Sequence, residues 1–349
     1  MTLPATKPRR QMLRWFTTLM AGAGVLTGAL AWAELPPLPA QWQAELAKVQ
    51  PDPPPKQLAA DAHFVISDER AHYTFYNATK GLGGVLLGVG TDPNYLFAGW
   101  MRAELVLLVD FDQVVADVHL LYGLAFKHAT TPTEFAQLWT PKGQPAFAAL
   151  IEALPDADAK KRARAAYKMS RSLIYDKILN VKKVYKEKQV PTFLSDADQY
   201  AHVRDLVMKN RVWAWRGDLT GAKTMVGVQG ALKAIGKEIM VFYITNAEAY
   251  FDYTPQARIN LRDVPYAEKS QVLRTQGRPS NPDETADGHY RYMSQNGRDF
   301  AAWMQLKRVT SAKSICWARK PTTVQGYLTI GGPPPPKPTA KTAPPKAKK

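Results

Sequence analysis

One cysteine, Cys316, stands in the 349 residues. A lone thiol excludes an intrachain disulfide framework and a cysteine-rich zinc site. Between Ile315 and Trp317, in a strand-like run, it reads as a buried inert thiol. The six histidines (His63, His72, His119, His128, His202 and His289) share no ligand spacing, so no metal site is expected. Acidic residues are absent before Glu34, and the Gly-rich dinucleotide fingerprint lacks its third glycine, because Pro93 stands where that glycine belongs.

The acid-free start carries Lys7, Arg9, Arg10 and Arg14, then an apolar stretch from Trp15 that ends at Ala31-Trp32-Ala33. A basic flank, an apolar run and a small-x-small end predict a signal peptide over 1–33, with a membrane anchor at 15–33 as the alternative. Arg9-Arg10-Gln11-Met12-Leu13-Arg14 is close to a twin-arginine signal. Both readings put the domain outside the cytoplasm, in the periplasm or otherwise exported.

A proline-rich spacer is expected over 34–59, broken by a helical pattern from Gln41 to Val49, and a disordered Pro/Lys tail over 331–349. Four of the basic residues lie in the leader and five in the tail, so the net +16 falls to +7 for the part between them. This mild excess gives little reason to expect specific nucleic-acid binding, whereas the tail suits an anionic envelope surface.

What is present is an α/β rhythm over 60–330. In the stretch from Gly84 to Asn94 a short apolar run stops at two glycines, Gly88 and Gly90; Asp92 follows as a helix cap, Pro93 as a first-turn residue, and then an apolar helical pattern. This is how a strand buried on both faces enters a tight turn and a helix. A second apolar run, Glu104 to Val109, ends in Asp110, where a ribose would lie in a nucleotide-binding fold. Asp92 at the helix N-terminus would compete with a pyrophosphate there, which favours a cationic or phosphate-free ligand such as S-adenosylmethionine.

Residues 130–200 read as a helical insertion, with Ile174, Ile178, Val181 and Tyr185 on one face of a helix spanning 156–188. The rhythm resumes with a strand at Val212 to Trp215, a turn at Gly217-Asp218, a helix from Gly221 to Ile235 and a strand at Ile239 to Thr245 that ends in Asn246-Ala247-Glu248. Polar residues at four strand ends predict a small-molecule pocket at the carboxyl edge of a mostly parallel sheet. Residues 271–298 read as a long loop and candidate lid, and 302–308, 313–317 and 325–330 as strands that give an antiparallel pair at the sheet edge.

These pieces together resemble a group of uncharacterised bacterial proteins with a methyltransferase-like Rossmann fold. The resemblance is carried by Phe64 to Glu69, Gly83 to Asn94, Val109-Asp110 with His119 and Tyr122, Arg216 to Gly221, and Phe242 to Glu248. The group favours asparagine where Asp68 stands. The resemblance implies that the Gly88/Gly90 turn faces the methionine part of S-adenosylmethionine, that Asp110 accepts from the ribose hydroxyls and that Asp218 reaches the adenine amino group. Asn246 and Glu248 would orient a methyl acceptor, with Glu248 or Tyr250 as base. An exported domain has no renewable methyl donor, so a non-catalytic envelope module that binds a small molecule or partner is the alternative. An enzyme acting on an envelope polymer through Ser67, Asp68, Glu69 and Glu248 is the third reading.

Overall fold

The computed structural model describes residues 35–277 and 281–333. The leader and all but the first residues of the tail lie outside the described residues. Among those described, no helix is long and apolar enough to cross a membrane.

The chain begins with α1 (Ala40–Leu46) and α2 (Tyr76–Thr79), then alternates β1 (Val85–Val89), α3 (Pro93–Met101) and β2 (Leu105–Asp110). A helical block follows: α4 (Gln113–His128), α5 (Pro132–Leu138), α6 (Gln144–Glu152), α7 (Ala157–Glu187) and α8 (Ala197–Met208). Alternation resumes with β3 (Val212–Arg216), α9 (Thr224–Ala234), β4 (Ile239–Thr245), α10 (Pro255–Arg262) and β5 (Tyr266–Gly277). The chain closes with β6 (Tyr290–Asn296), α11 (Gly297–Gln305), α12 (Lys313–Cys316), β7 (Arg319–Pro321) and β8 (Tyr327–Ile330).

The strands form one sheet in the order β3-β2-β1-β4-β5-β6-β8-β7. β1 to β5 are parallel; β6 runs antiparallel to β5, β8 parallel to β6, and β7 antiparallel to β8 at the edge. This is a Rossmann-like α/β fold with antiparallel strands at one end. Chain order reverses at β1, which pairs with β2 on one side and β4 on the other, and in open α/β sheets the crevice at that reversal is where ligands bind.

Strand periodicity divides the apolar residues between two cores. Leu86, Val106, Leu108, Val241 and Tyr243 pack under α3, α4 and the helical block; Val85, Leu87, Leu105, Leu107, Phe242 and Ile244 pack under α1, α9, α10 and α11. The 31-residue α7 is capped by Asp156, whose side chain accepts from Ala159 N, and buries Ile174, Ile178, Val181 and Tyr185 along one stripe.

Three expectations change. The long loop at 271–298 is largely the β5–β6 hairpin, paired from Gln271↔Asn296 to Gly277↔Tyr290. Several of its polar residues are buried against partners from elsewhere in the fold, as Arg291 is against Glu284 and Thr275 against Glu69. The strands expected at 302–308 and 313–317 are α11 and α12, and the edge pair is β7 with β8. α11 starts where Asn296 Oδ1 accepts from Arg298 N and Asp299 N, and Phe300, Trp303 and Met304 then recur at helical spacing. The spacer at 34–59 is packed on the sheet from Leu35 onward, with Leu38, Leu46 and Val49 buried in the second core.

Candidate functional site

A cavity of about 440 Å³ lies at the carboxyl ends of β1 to β4. Its far side is the chain from Pro55 to Glu69, of which Leu58, Phe64 and Ile66 supply apolar surface. Within that segment Ala60 and Asp61 adopt φ of 53° and 52°, the left-handed region that side chains rarely occupy.

The β1 turn is built around Asn94. Its Nδ2 donates to the carbonyls of Val89, Gly90 and Thr91, filling the acceptors where the strand ends. A Cβ on Gly88 would lie 1.8 Å from Asn94 Oδ1, so Gly88 makes room for this side chain and does not line the cavity. Gly90 does line it, at φ 75°, and is free of side-chain bulk where the backbone borders the crevice. Its carbonyl accepts from His119 Nε2 at 2.9 Å, while His119 Nδ1 accepts from Tyr95 OH at 3.0 Å, which fixes the ring as one neutral tautomer. Burial pushes His119 down to about 4, so it stays neutral at physiological pH.

Asp110 lines the cavity at the end of β2. Its Oδ2 accepts from Gly90 N at 3.2 Å and its Oδ1 from Asp112 N at 2.9 Å, so one carboxylate joins the ends of two strands. Burial pushes it up to about 7, with the neighbouring Asp112 charge adding to the rise and the two N–H groups opposing it. Asp112, also on the wall, caps α4 through Val114 N and lies 2.7 Å from His63 Nδ1.

Asp218, at the end of β3, lines the cavity with its carboxylate folded onto Thr220 N and Oγ1 at 2.7 and 2.8 Å. The loop it starts is held from outside the local sequence. Asp52, 1% exposed, accepts from Asp218 N, Lys223 N and Thr224 N. This distant carboxylate starts α9 at Thr224, three residues later than the pattern from Gly221 predicts. A Cβ on Gly221 would lie 2.5 Å from Asp52, so the glycine is what admits it.

Asp92 makes no cap bond to its own helix, contrary to the expected role. Its Oδ1 instead accepts from Ser67 N at 2.8 Å, and its Oδ2 lies 3.7 Å from Lys177 Nζ. Lys177, from α7, donates to the carbonyls of Ser67 and Glu69 at 2.8 Å each. The helical insertion thereby fixes the 67–69 segment on the cavity wall, and Asp92 stands behind that wall.

Glu69 is the best-held acid of the cavity. It accepts from Tyr243 OH at 2.8 Å and from the hydroxyls of Ser67 and Thr275, with His72 Nε2 at 3.3 Å. Burial acts to raise it, but the bond and charge of His72 and the two hydroxyls outweigh burial and hold it at about 2.

From the end of β4, Asn246 and Tyr250 line the cavity. Glu248 does not. It is 5% exposed, accepts from Tyr253 OH and is ion-paired with Arg274 at 3.3 Å, so it is not placed to take a proton in the cavity. Of the expected residues, Gly90, Asp110, Asp218, Asn246 and Tyr250 converge on the cavity, whereas Gly88, Asp92 and Glu248 stand outside it.

Among the described residues on its walls are five carboxylates (Asp68, Glu69, Asp110, Asp112 and Asp218) and no lysine or arginine. Residues 64–330 match the model of a family described as Domain of unknown function (DUF7790). The chain belongs to this family. No curated protein matches it. Every DUF7790 chain element that carries those five acids lies within the match, while Asp52 and the cavity-lining residues 55–62 precede it. Sequence reading missed Asp52, Asn94, Asp112 and Lys177. Asn94 and Asp112 had a local signal, as polar residues at the helix starts that follow β1 and β2; Asp52 and Lys177 act through chain folded back from more than 80 residues away.

Proposed function

We propose that the cavity binds S-adenosylmethionine and that the chain acts as a methyltransferase. The observation that carries this reading is the wall of five carboxylates without a lysine or arginine. Phosphate-bearing nucleotides are repelled by such a wall, whereas a sulfonium cation on a phosphate-free nucleoside suits it. Cavity size supports the reading, since about 440 Å³ falls in the usual range for small-molecule sites.

In this proposal Gly90 leaves room for the methionine part, Asp110 accepts from ribose hydroxyls and Asp218 receives the adenine amino group. Phe111 and Leu219, next to these two acids on the wall, give apolar surface for the base. Glu69, ionised across the physiological range, supplies a fixed negative charge. The bound cofactor would supply an electrophilic methyl group; the chain's own task is to orient donor and acceptor and keep water out. Export through the leader and contact of the basic tail with an anionic envelope surface complete the proposal; the leader and the tail beyond residue 333 lie outside the described residues.

A second reading has specific support. Because Glu248 is committed to Arg274 and Tyr253, one of the two expected bases is spoken for and only Tyr250 faces the cavity, which favours a module that binds the ligand without turning it over.

Calorimetric titration of the full-length protein tests both. S-adenosylmethionine should bind saturably, S-adenosylhomocysteine more weakly and ATP not at all. Asp110→Asn should weaken binding ten- to a hundredfold, the loss of a charge-assisted hydrogen bond of about 1.5–3 kcal/mol. ATP binding in preference would overturn the proposal, as would no binding of either adenosyl ligand. Release of S-adenosylhomocysteine in the presence of envelope extract separates transferase from module.

A further inference from the structure

Residues 53–64 run along the far side of the cavity as a strap, fixed firmly at both ends. At one end stands Asp52. Its carboxylate takes the N–H groups of Asp218, Lys223 and Thr224, and its carbonyl accepts from Arg216 Nε at 2.9 Å. At the other end Val65 is 2% exposed, packed in the first core. Just beyond it Ser67 N donates to Asp92, and Lys177 holds the carbonyls of Ser67 and Glu69.

Between these anchors no residue is buried. Pro55, Gln57, Leu58, Ala59, Ala62 and Phe64 line the cavity, so the strap turns apolar side chains to open space and not to a core. Among the described residues a single hydrogen bond joins the strap to the rest of the fold, between His63 Nδ1 and Asp112 Oδ2 at 2.7 Å. Its other bonds are internal: Gln57 Nε2 donates to Asp61 Oδ1, and the N–H groups of Asp61 and Ala62 to the carbonyls of Leu58 and Ala59. The left-handed φ of Ala60 and Asp61 sets two adjacent side-chain-bearing residues against their usual preference. Pro53-Pro54-Pro55 make a stiff arm next to Asp52. A strained stretch held by one bond, hung between two buried anchors, is built to move as one piece.

We infer that residues 53–64 are a movable cover for the cavity. The strap swings out about Asp52 and Val65 to admit a ligand, closes over it, and is latched by His63 on Asp112. Opening gives up one hydrogen bond and relieves the left-handed turn, so the two states lie close in free energy and both are populated. A bound ligand favours the closed state by covering Leu58 and Phe64, which face the cavity with no core behind them. The inference rests on reading this cavity as a ligand site and is indifferent to which ligand it takes.

The test follows a thiol on the cavity wall. Val115, on α4, lines the cavity and is 1% exposed, while the native Cys316 is buried in the second core and reports global unfolding. In the full-length protein carrying Val115→Cys, without ligand, a bulky maleimide should label the introduced thiol slowly. Adding His63→Ala should quicken labelling about three- to tenfold, because the latch is gone. Ala60→Val, which puts a β-branched side chain at a left-handed position, should quicken it as well. In both variants the melting midpoint should stay where it is and Cys316 should remain unreacted. A rate that His63→Ala leaves unchanged overturns the inference. So does labelling of Cys316 in step with the introduced thiol, because the motion would then be unfolding of the whole domain. The measurement needs no ligand, so its failure is distinct from a failure of S-adenosylmethionine to bind.

Discussion

Asp110 and Glu69 are two acids on one cavity wall, pushed in opposite directions by their neighbours. Glu69 receives three hydroxyl groups and a histidine and stays ionised, down to about 2. Asp110 receives two backbone N–H groups, too few to offset burial beside Asp112, and rises to about 7. The sign of the resulting pH dependence follows. From an unfolded value near 4 up to about 7, the folded state holds a proton that the unfolded state has lost. Stability from this group is therefore full below pH 4 and falls as pH rises towards 7, after which it is level. Asp110→Asn removes the dependence. Urea unfolding should show the variant gaining on the parent by on the order of 2 kcal/mol between pH 5 and pH 8, with solvent screening allowed for. A gap that stays constant with pH would show that Asp110 is ionised throughout. The same titration makes ligand binding through Asp110 strengthen as pH rises past 7, because only the ionised carboxylate accepts on both oxygens.

The loop between β3 and α9 shows how an element can depend on a residue far from it. Asp52 fills three of its N–H groups, so Asp52→Ala leaves buried donors unmet at a helix start. The expected cost is about 2 kcal/mol of stability. Hydrogen exchange at residues 217–224 should quicken more than in β1 or β4, and ligand binding should weaken with it because Asp218 lies in this loop; uniform exchange across the sheet would refute the local account. What was legible in the sequence divides along the same line. β4 was read with its bounds, Ile239–Thr245, because a fully buried strand is a continuous apolar run with punctuation at its ends. The turn after β1, Asp110 and Asp218 were legible for the same reason. The β5–β6 hairpin was not, since Arg274, Thr275, Arg291 and Gln295 are buried polar residues whose partners come from elsewhere in the fold. Glu248 was read as a free acid because nothing near it in sequence announces Arg274. Helix α11 was missed for a more local cause: the Asn296 cap and the Phe300, Trp303, Met304 stripe were both present, but the run is short and rich in aromatic residues that also suit strands.

At the scale of the molecule, the family match begins at Phe64, yet the fold begins earlier. Leu38, Leu46 and Val49 are buried against the β1 and α9 face, and residues 55–62 close one side of the cavity. A chain starting at Phe64 should therefore melt several degrees below one starting at Glu34, by differential scanning calorimetry, and should lose ligand binding. Equal midpoints would mean that the early segment merely rests on the surface. Tyr250 and Phe251 carry a different consequence. They form a party wall between this cavity and a second one of about 380 Å³, and Tyr250 is 56% exposed. Were the ring to turn with a bound guest, occupancy of one chamber would change the shape of the other. Thermodynamic linkage makes the debt mutual: by whatever factor a guest on one side tightens or loosens the hold on its neighbour, the neighbour returns the same factor. The two chambers would keep a single set of books, and an affinity measured in either with the other empty would describe only half of the molecule's behaviour.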